Sequence, residues 1–291
     1  MKVLVTGASG LVGEEIADVF AERGHEVVRL KGRKDLDLTD VNNTIIRIVT
    51  ENPDLIVHAA ALKDVDEAER NPEYTYVNNS LATRNVALAA RKADAAILYI
   101  STDAVFSGEK GSPYHEYDQT GPINVYGFSK LAGENEIKSL CSRYYIIRTG
   151  LQFGTKGHPE RNMALNLIRR WEKGETVDAG IDQVCSNTYT HDLAVAIEKI
   201  ALSGAYGTYH VVNSGEASRY EFYKKLCVLA GFPEELVNPV EAATIKFARR
   251  QRYSPLISLT YESLFHEQLP DWQDAAERFM DEYRRNKGEE K

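Results

Sequence analysis

The stretch TGASGLVG, which runs from Thr6 to Gly13, decides the fold because it joins an apolar run to an amphipathic segment. Before it, Lys2–Thr6 is short, rich in valine and ended by glycine, which predicts a buried strand. After it, Glu14–Arg23 has the pattern of a helix that stops at Gly24. Glycines at a strand-to-helix junction let the backbone approach a pyrophosphate, to which the helix N-terminus offers free N–H groups. The stretch therefore predicts a dinucleotide site whose contacts are Gly7, Ser9, Gly10, Leu11, Val12 and Gly13.

Outward from this loop, short apolar runs alternate with amphipathic stretches through the first 150 residues. The pattern predicts strands at 26–30, 54–59, 96–101 and 144–148, and helices at 41–51, 79–92 and 126–139. Such alternation is typical of right-handed crossovers and a parallel sheet covered on both faces. We therefore predict an α/β fold: a Rossmann-type doubly wound parallel sheet with a smaller mixed C-terminal lobe. The dinucleotide-binding domain would comprise residues 1–150, completed by about 184–214, and the lobe about 151–183 and 215–291.

Composition excludes several classes of protein. The chain of 291 residues has a formal net charge of −8, which argues against binding to nucleic acid. Three widely separated cysteines show no metal-ligand spacing, so no metal site is expected. No apolar run has the length of a membrane span, and Met1 leads directly into the first strand, so we expect no membrane association and a cytoplasmic location. The one dense basic cluster, at 249–252, is either a solvated face or a pocket for an anionic ligand.

The end of the second predicted strand carries basic residues where an NAD-binding site would carry a carboxylate. The run VVRLKGR at 27–33 contains no acidic residue. A carboxylate at this place binds the ribose 2′-hydroxyl of NAD, whereas cations suit the 2′-phosphate of NADP. We therefore expect NADPH as the cofactor, with Lys31 and Arg33 binding its 2′-phosphate. Two ordinary surface cations, and with them NADH as the cofactor, are the alternative.

Tyr126 and Lys130 stand four residues apart at the start of a predicted helix, so both side chains share one face. A reductase needs a proton donor for the alkoxide that forms when hydride reaches a carbonyl carbon. We expect the lysine cation to lower the pKa of the phenol and favour the phenolate. Thr102 follows the strand at 96–101, at the edge where ligands of doubly wound sheets bind, and its hydroxyl can hold the carbonyl oxygen. A hydride donor, a proton donor and a carbonyl-binding group would thus meet in one crevice.

Ordered segments along most of the chain extend these motifs. They include DLDLTD at 35–40, HAAA at 58–61, VDEAE at 65–69, STDAVF at 101–106, NVYGFSKLAGE at 124–134 and THDLA at 190–194. In this order they resemble the extended short-chain dehydrogenases/reductases and, within them, the dTDP-4-dehydrorhamnose reductase family. The segment at 124–134 is the strongest single match.

The resemblance implies a role for individual residues. It implies that Thr102, Tyr126 and Lys130 are catalytic, and that Asn78 is the family's structural or proton-relay asparagine beside the cofactor. It also implies that the adenine and the nicotinamide ribose are bound by Asp37, Leu38, Ala59, Ala60 and Ala61. The substrate contacts that it implies are Lys63, Thr102, Asp103, Ala104, Leu151, Arg249 and Arg250.

Three residues depart from the family pattern. Ala104 stands where an aromatic residue is usual, Leu151 where a tryptophan is common, and Gln251 where a proline is usual. All three belong to the expected sugar pocket. The acid–base residues follow the family pattern.

The expected function is NADPH-dependent reduction of the C4 keto group of a nucleotide-linked 4-keto-6-deoxy sugar, namely dTDP-4-dehydro-L-rhamnose to dTDP-L-rhamnose. Two alternatives stay open. The substrate could be another nucleotide-linked 4-keto sugar, or the chain could be a non-catalytic regulatory subunit like the β subunit of methionine adenosyltransferase. Some members of the family form dimers, so a homodimer is among the expected states.

Overall fold

The computed structural model describes residues 1–242 and 247–288. In chain order, the elements up to residue 149 are β1 (Lys2–Thr6), α1 (Leu11–Glu22), β2 (Glu26–Leu30), α2 (Val41–Glu51), β3 (Leu55–His58), α3 (Val65–Arg70), α4 (Pro72–Tyr76), α5 (Ala82–Lys92), β4 (Ala96–Thr102), α6 (Val125–Leu140) and β5 (Tyr144–Thr149). Those that follow are β6 (Leu151–Phe153), α7 (Met163–Glu172), β7 (Val177–Gly180), β8 (Val184–Cys185), β9 (Asn187–Tyr189), α8 (Thr190–Ser203), β10 (Gly207–His210), β11 (Asn213–Ser214), β12 (Ala217–Ser218), α9 (Arg219–Leu229), β13 (Val237–Val240), α10 (Leu259–Phe265), β14 (Leu269–Asp271) and α11 (Trp272–Lys287).

Six parallel strands form the central sheet, in the order β10, β5, β4, β3, β1, β2. From β1 the chain moves outward to β2 and then returns to β3 on the other side of β1, so the strand order reverses between β1 and β3. Ligands of such sheets bind beyond the carboxyl ends of the strands at the point of reversal. The predicted α/β class and its doubly wound parallel sheet are confirmed, and the loop after β1 lies at the reversal.

The sheet is buried on both faces. On β1, Val3 and Val5 pack in a cluster with residues of α1 and α8, whereas Leu4 packs in a second cluster with residues of α2, α5 and α6. All three side chains are fully buried. Burial on both faces explains why the strands are continuous apolar runs rather than alternating ones.

Residues beyond 150 build a third apolar cluster. Its centre is formed by Trp171 of α7, Phe222 of α9 and Phe279 of α11, which are all essentially inaccessible to solvent. Two parallel strand pairs, β6 with β9 and β7 with β13, border this cluster. The assignment of a substrate-binding role to this region stays a prediction.

Two helices differ from their predicted bounds. The first begins at Leu11 rather than at Glu14, because the loop turns directly into the helix after Gly10. The helix predicted at 79–92 is preceded by α4, and a π-helical turn at Val77–Leu81 connects α4 to α5. Across residues 1–242 and 247–288, no helix has the length and apolar character needed to span a lipid bilayer.

A buried ion pair holds α6 against the sheet. Glu134 of α6 is fully buried and accepts hydrogen bonds from Arg148 of β5, at 2.7 and 3.0 Å, and from the Ser101 hydroxyl of β4, at 2.6 Å. Burial alone would raise the pKa of Glu134, but the hydrogen bonds and charge of Arg148 outweigh it and hold the pKa below its ordinary value. The pair therefore fixes the helix that carries Tyr126 and Lys130 to the strands beside it.

Replacing Arg148 with Met should lower the free energy of unfolding by about 3–5 kcal/mol, because the Glu134 carboxylate is then buried without its partner. Urea denaturation measures this change. The matched double variant Arg148→Met/Glu134→Leu removes both charges and should recover most of the loss. Equal losses in the single and double variants would contradict this account of the pair.

The same pair gives stability a pH dependence. The pKa of Glu134 is lowered in the folded chain, so the pair makes its full contribution to folding stability at pH values above the ordinary glutamate pKa. This contribution is lost as the pH falls through the folded-state pKa. The double variant should therefore lose less stability than the unmodified chain between about pH 5 and about pH 3.

Candidate active site

The glycine loop after β1 is packed too tightly to hold side chains. Gly7 has a φ of +69°, and a Cβ there would lie 2.8 Å from the backbone of Ala60. A Cβ on Gly13 would lie 2.3 Å from the carbonyl oxygen of Gly7. The loop thus lies against the end of β3, and the first turn of α1, with Leu11 and Val12, presents amides that have no partner within the helix. This geometry fits a pyrophosphate at the helix N-terminus.

A cleft of about 140 Å³ opens beside this loop. Among the predicted cofactor contacts, those that line it are Gly7, Arg33, Asp37, Leu38, Ala60, Ala61 and Asn78. The structure therefore brings together residues of four separate sequence segments, namely the ends of β1, β2 and β3 and the turn between α4 and α5. Their shared edge of the sheet is the place where a dinucleotide would lie.

The two predicted phosphate-binding cations differ in their surroundings. Arg33 lines the cleft, donates to the side-chain oxygen of Asn78 at 2.5 Å and lies 3.8 Å from the carboxylate of Asp37. Lys31 contributes its backbone instead: its carbonyl accepts from Ser9 and its N–H donates to Asp35 at 2.7 Å. Arg33 is thus the better placed of the two for a ligand in the cleft.

The loop after β3 continues from the cleft toward a neighbouring segment. The backbone N–H of Ala59 donates to the carbonyl of Thr6 at 3.3 Å, which joins β3 to β1 at their carboxyl ends. Farther along, the Lys63 ammonium donates to the carbonyl of Arg161 at 2.8 Å. Burial, and then the charge of Arg161, lower the pKa of Lys63.

The end of β4 presents a hydroxyl and a buried carboxylate. The Thr102 hydroxyl donates to the Asp103 carboxylate at 3.1 Å and accepts from the N–H of Ala104 at 3.1 Å. Ser254 donates to the other oxygen of Asp103 at 2.7 Å. Burial raises the pKa of Asp103, although the Ser254 and Thr102 hydrogen bonds and the charge of Arg219 act in the opposite direction.

Tyr126 and Lys130 lie in the first two turns of α6. Asn124 caps the start of this helix, because its side-chain oxygen accepts a hydrogen bond from the N–H of Gly127 at 2.8 Å. Burial raises the pKa of Tyr126 to about 12, although the adjacent Thr102 hydroxyl lowers it by hydrogen bonding. The expected lowering of the Tyr126 pKa by the lysine cation is therefore wrong: burial disfavours the phenolate, and Lys130 is not among the groups that act on this pKa. The phenol is protonated at neutral pH, which is the state that a proton donor needs.

The Lys130 side chain is 3% exposed, and its ammonium lies 4.0 Å from the centre of the Tyr99 ring. Burial lowers the pKa of Lys130 to about 7, while the carboxylate of Glu134 acts in the opposite direction. The lysine can therefore change its charge near neutral pH.

Sequence reasoning missed the asparagine that contacts α6. Asn78 faces the cleft, whereas its neighbour Asn79 is buried and binds both backbone groups of Leu62, at 2.8 and 3.0 Å. The Asn79 amide also donates to the Ser129 hydroxyl at 3.0 Å, which donates to the carbonyl of Tyr126 at 2.7 Å. The structural role that the resemblance implies for Asn78 therefore fits Asn79 better.

A buried histidine links this asparagine to the glycine loop. His58 Nδ1 lies 2.7 Å from the Thr6 hydroxyl, and Nε2 lies 3.0 Å from the Thr83 hydroxyl, which donates to the carbonyl of Asn79. This network assigns the proton of His58 to Nε2. Hydrogen bonds therefore run from β1, beneath the cleft, to the helix that carries Tyr126.

Two further polar residues near Asp103 gave no signal in the sequence. Ser254 contacts the carboxylate directly, and Arg219, the first residue of α9, is close enough for its charge to act on the pKa of Asp103. Both come from chain segments more than 100 residues away from β4. No spacing rule connects such distant positions, so only the fold reveals them.

A second cavity, of about 550 Å³, has Ser107 and Gly108, from the segment that follows β4, in its lining. It is lined by Arg249, Arg250 and Arg252 and by the exposed ring of Phe247. Arg250 is 2.9 Å from the carboxylate of Asp66, and the Arg249 carbonyl accepts from Asn124 at 3.0 Å. The basic cluster of the sequence is thus part of a pocket rather than a purely solvated face.

The three departures from the family pattern lie in different surroundings. The carbonyl of Ala104 accepts from the side chain of Gln251 at 3.2 Å, so these two residues contact each other between β4 and the second cavity. Leu151 lies on β6 and packs against the apolar cluster of α7, α9 and α11.

Comparisons with known proteins give matches over most of the chain. The family model described as the RmlD substrate binding domain matches residues 1–285. The dTDP-4-dehydrorhamnose reductase of Streptomyces griseus is 36% identical over 279 residues, which cover 94% of this chain and 90% of that protein. A protein of Streptomyces niveus named dTDP-4-keto-6-deoxy-D-glucose reductase is 33% identical over 255 residues and covers 87% of each chain.

A solved structure gives the same result. The crystal structure of dTDP-4-dehydrorhamnose reductase from Bacillus anthracis in complex with NADP has a TM-score of 0.91 and 34% sequence identity, over 97% of this chain and 99% of that one. The similarity thus extends over the glycine loop, the Tyr126–Lys130 helix and the arginine-lined cavity together. The chain belongs to the dTDP-4-dehydrorhamnose reductase family.

Proposed function

We propose that this protein is an oxidoreductase that uses NADPH to reduce the C4 keto group of a nucleotide-linked 4-keto-6-deoxy sugar, with dTDP-4-dehydro-L-rhamnose as substrate and dTDP-L-rhamnose as product. One observation carries the proposal: Thr102, Tyr126 and Lys130 lie at the same edge of the sheet as the glycine cradle of Gly7 and Gly13. A proton donor beside a dinucleotide site is the arrangement that carbonyl reduction requires.

The cradle fits a dinucleotide because its glycines leave the backbone bare where a pyrophosphate must approach. When bound, NADPH supplies the hydride for the carbonyl carbon. The residues of the chain supply the rest. The Thr102 hydroxyl donates a hydrogen bond to the carbonyl oxygen, and the phenol of Tyr126 gives its proton to that oxygen as the alcohol forms. The ammonium of Lys130 stabilises the phenolate that remains.

We assign the nucleotide diphosphate of the substrate to the second cavity. Its three arginines, Arg249, Arg250 and Arg252, suit phosphate oxygens, with which guanidinium groups form charge-assisted hydrogen bonds. Phe247 at the rim offers a ring face for a base. Asp103 and Ala104 would then meet the sugar between this cavity and the cofactor cleft, and Lys63 and Leu151 would border it.

A second candidate substrate is another dTDP-linked 4-keto-6-deoxy sugar. The relative from Streptomyces niveus carries the name of a dTDP-4-keto-6-deoxy-D-glucose reductase, and Ala104 and Leu151 depart from the family pattern at positions that the resemblance assigns to the sugar pocket. The acid–base residues would serve both sugars equally.

The proposal extends to where the protein acts and how it assembles. We propose a cytoplasmic enzyme, because its cofactor and nucleotide sugars are cytoplasmic metabolites and the described chain has no helix that could span a membrane.

We also propose a homodimer. Four exposed apolar side chains support it, namely Tyr74, Val77, Leu81 and Phe128, of which the first three follow a helical spacing on one segment.

Tyr126→Phe should reduce kcat for NADPH oxidation with dTDP-4-dehydro-L-rhamnose by about 10²- to 10⁴-fold, because it removes the proton donor and keeps the ring. The dissociation constant of NADPH, measured by fluorescence, should change little. The assay is repeated with dTDP-4-keto-6-deoxy-D-glucose to separate the two candidate substrates. Absence of turnover with every 4-keto nucleotide sugar would refute the catalytic proposal.

Arg33→Ala should raise the KM for NADPH about 10- to 100-fold and leave the KM for NADH nearly unchanged, because a charge-assisted hydrogen bond to the 2′-phosphate is lost. Lys31→Ala should have the smaller effect, since only Arg33 lines the cleft. Arg47→Ala on α2 is the matched surface control, whose side chain pairs with Glu51. Equal effects of Arg33→Ala on both cofactors would argue against 2′-phosphate binding.

Arg249→Ala should raise the KM for the nucleotide sugar about tenfold with kcat unchanged, because a diphosphate contact holds substrate and transition state alike. The KM for NADPH serves as the internal control and should stay constant. A change in kcat alone would place Arg249 outside the substrate site.

A further inference from the structure

We propose that Tyr99 is a positioning residue, whose ring face holds the Lys130 ammonium in place for the reduction proposed above. The inference rests on that function for its catalytic meaning, but the contact itself is a property of the folded chain. Tyr99 lies on β4, behind the catalytic helix. It lines neither the cofactor cleft nor the second cavity.

The first support is the contact itself. The Lys130 ammonium lies 4.0 Å from the centre of the Tyr99 ring, well within the distance at which a cation is attracted to an aromatic face. The ring is fully buried and Lys130 is nearly so. Removal from water strengthens such an interaction, because bulk solvent no longer screens the charge.

The second support is that the ring cannot move away. On its own sheet, the Tyr99 ring stacks on His58 with the ring centres 5.6 Å apart and the planes inclined by 25°. On the helix, a Cβ added to Gly133 would lie 2.5 Å from the Tyr99 hydroxyl. The glycine, three residues after Lys130, therefore leaves the space that the phenol occupies.

The third support is that the nearest carboxylate, Glu134, is held by other partners, although its charge favours the ammonium form of Lys130. Glu134, one turn farther along α6, is bound by Arg148 and Ser101 and lies 3.6 Å from Lys138. His58 holds hydrogen bonds on both ring nitrogens, and burial, followed by the charge of Lys130, lowers its pKa to about 3. His58 is therefore neutral and does not repel the ammonium, and Tyr126 is a neutral phenol at physiological pH.

Loss of the Tyr99 ring should remove one of the interactions that stabilise the charged form of Lys130. Burial already lowers the pKa of Lys130 to about 7, so a further decrease would leave the side chain neutral under working conditions. A neutral lysine cannot stabilise the phenolate of Tyr126.

The experiment compares Tyr99→Phe, Tyr99→Leu and the control Tyr145→Leu in the full-length protein. Tyr145 is a tyrosine on the neighbouring strand that is equally buried and packs in a different cluster, so its loss reports the cost of an altered core. The pKa of Lys130 is measured by NMR of ¹³Cε-labelled lysine without cofactor, with Lys130→Arg used to assign the signal. Turnover of dTDP-4-dehydro-L-rhamnose is then measured across pH.

Tyr99→Phe keeps the ring face and should match the unmodified protein in both measurements. Tyr99→Leu should lower the pKa of Lys130 by roughly half a unit to one unit. It should also lower kcat about three- to tenfold at pH 8 with little change in KM, because the ammonium fraction falls by that factor, and shift the alkaline limb of the pH profile to lower pH. Tyr145→Leu should shift neither the pKa nor the limb.

A second pair of variants keeps the test decisive if Tyr99→Leu does not fold. Gly133→Ala displaces the phenol without emptying the core and should lower the pKa of Lys130. Gly133→Ala/Tyr99→Phe should restore most of it, because the hydroxyl at 2.5 Å is gone and the ring carbon Cζ, at 3.0 Å, needs to shift by only a few tenths of an ångström. An unchanged Lys130 pKa in both Tyr99→Leu and Gly133→Ala, or the same shift in Tyr145→Leu, would overturn the proposal. The NMR result needs no substrate, so a shifted pKa in a protein without reductase activity would refute the proposed function and leave the positioning role intact.

Discussion

The buried carboxylate of Glu134 is the constraint on which the active site depends. It is bound by Arg148 and Ser101, which lie on two neighbouring strands, so one side chain of α6 is tied to β4 and β5 together. Tyr126 and Lys130 are on the same helix, and Thr102 directly follows Ser101. Any rotation of α6 that separated the phenol from the threonine hydroxyl would therefore leave a charge unpaired in the core, which costs several kcal/mol.

The sequence predicted those parts of the molecule whose signals are local. A glycine loop between a strand and a helix, and apolar runs of strand length, determine the sheet and the position of the dinucleotide cleft, because neighbouring parallel strands bring their carboxyl ends to one edge. Thr102, Tyr126 and Lys130 could be placed by the same reasoning, since Thr102 ends β4 and the other two lie in the first two turns of α6. The resemblance of ordered motifs supplied the reaction class, and the comparisons agree with it.

Other features depend on the folded chain and could not be read in advance. Ser254 and Arg219 reach Asp103 from distant segments. In the sequence, Tyr99 cannot be distinguished from an ordinary core residue of a strand. The direction of the Tyr126 pKa was mispredicted because helical spacing shows which charges are close but not how deeply a phenol is buried. Desolvation is a property of all surrounding segments, and at this site it is the largest influence on the pKa of the phenol.

The π-helical turn at Val77–Leu81 has a consequence for how this chain can change over evolutionary time. Each residue of an α-helix advances the side chains by about 100°, so a π turn acts as one inserted residue that resets the angular register. Within this turn, Asn78 borders the cleft, and Asn79 is buried and donates to Ser129. Descendants of this sequence can exchange many side chains along the helix, but a single-residue deletion within the turn would rotate both asparagines away from their partners. The length of this segment is therefore a property that selection must conserve together with its two asparagines.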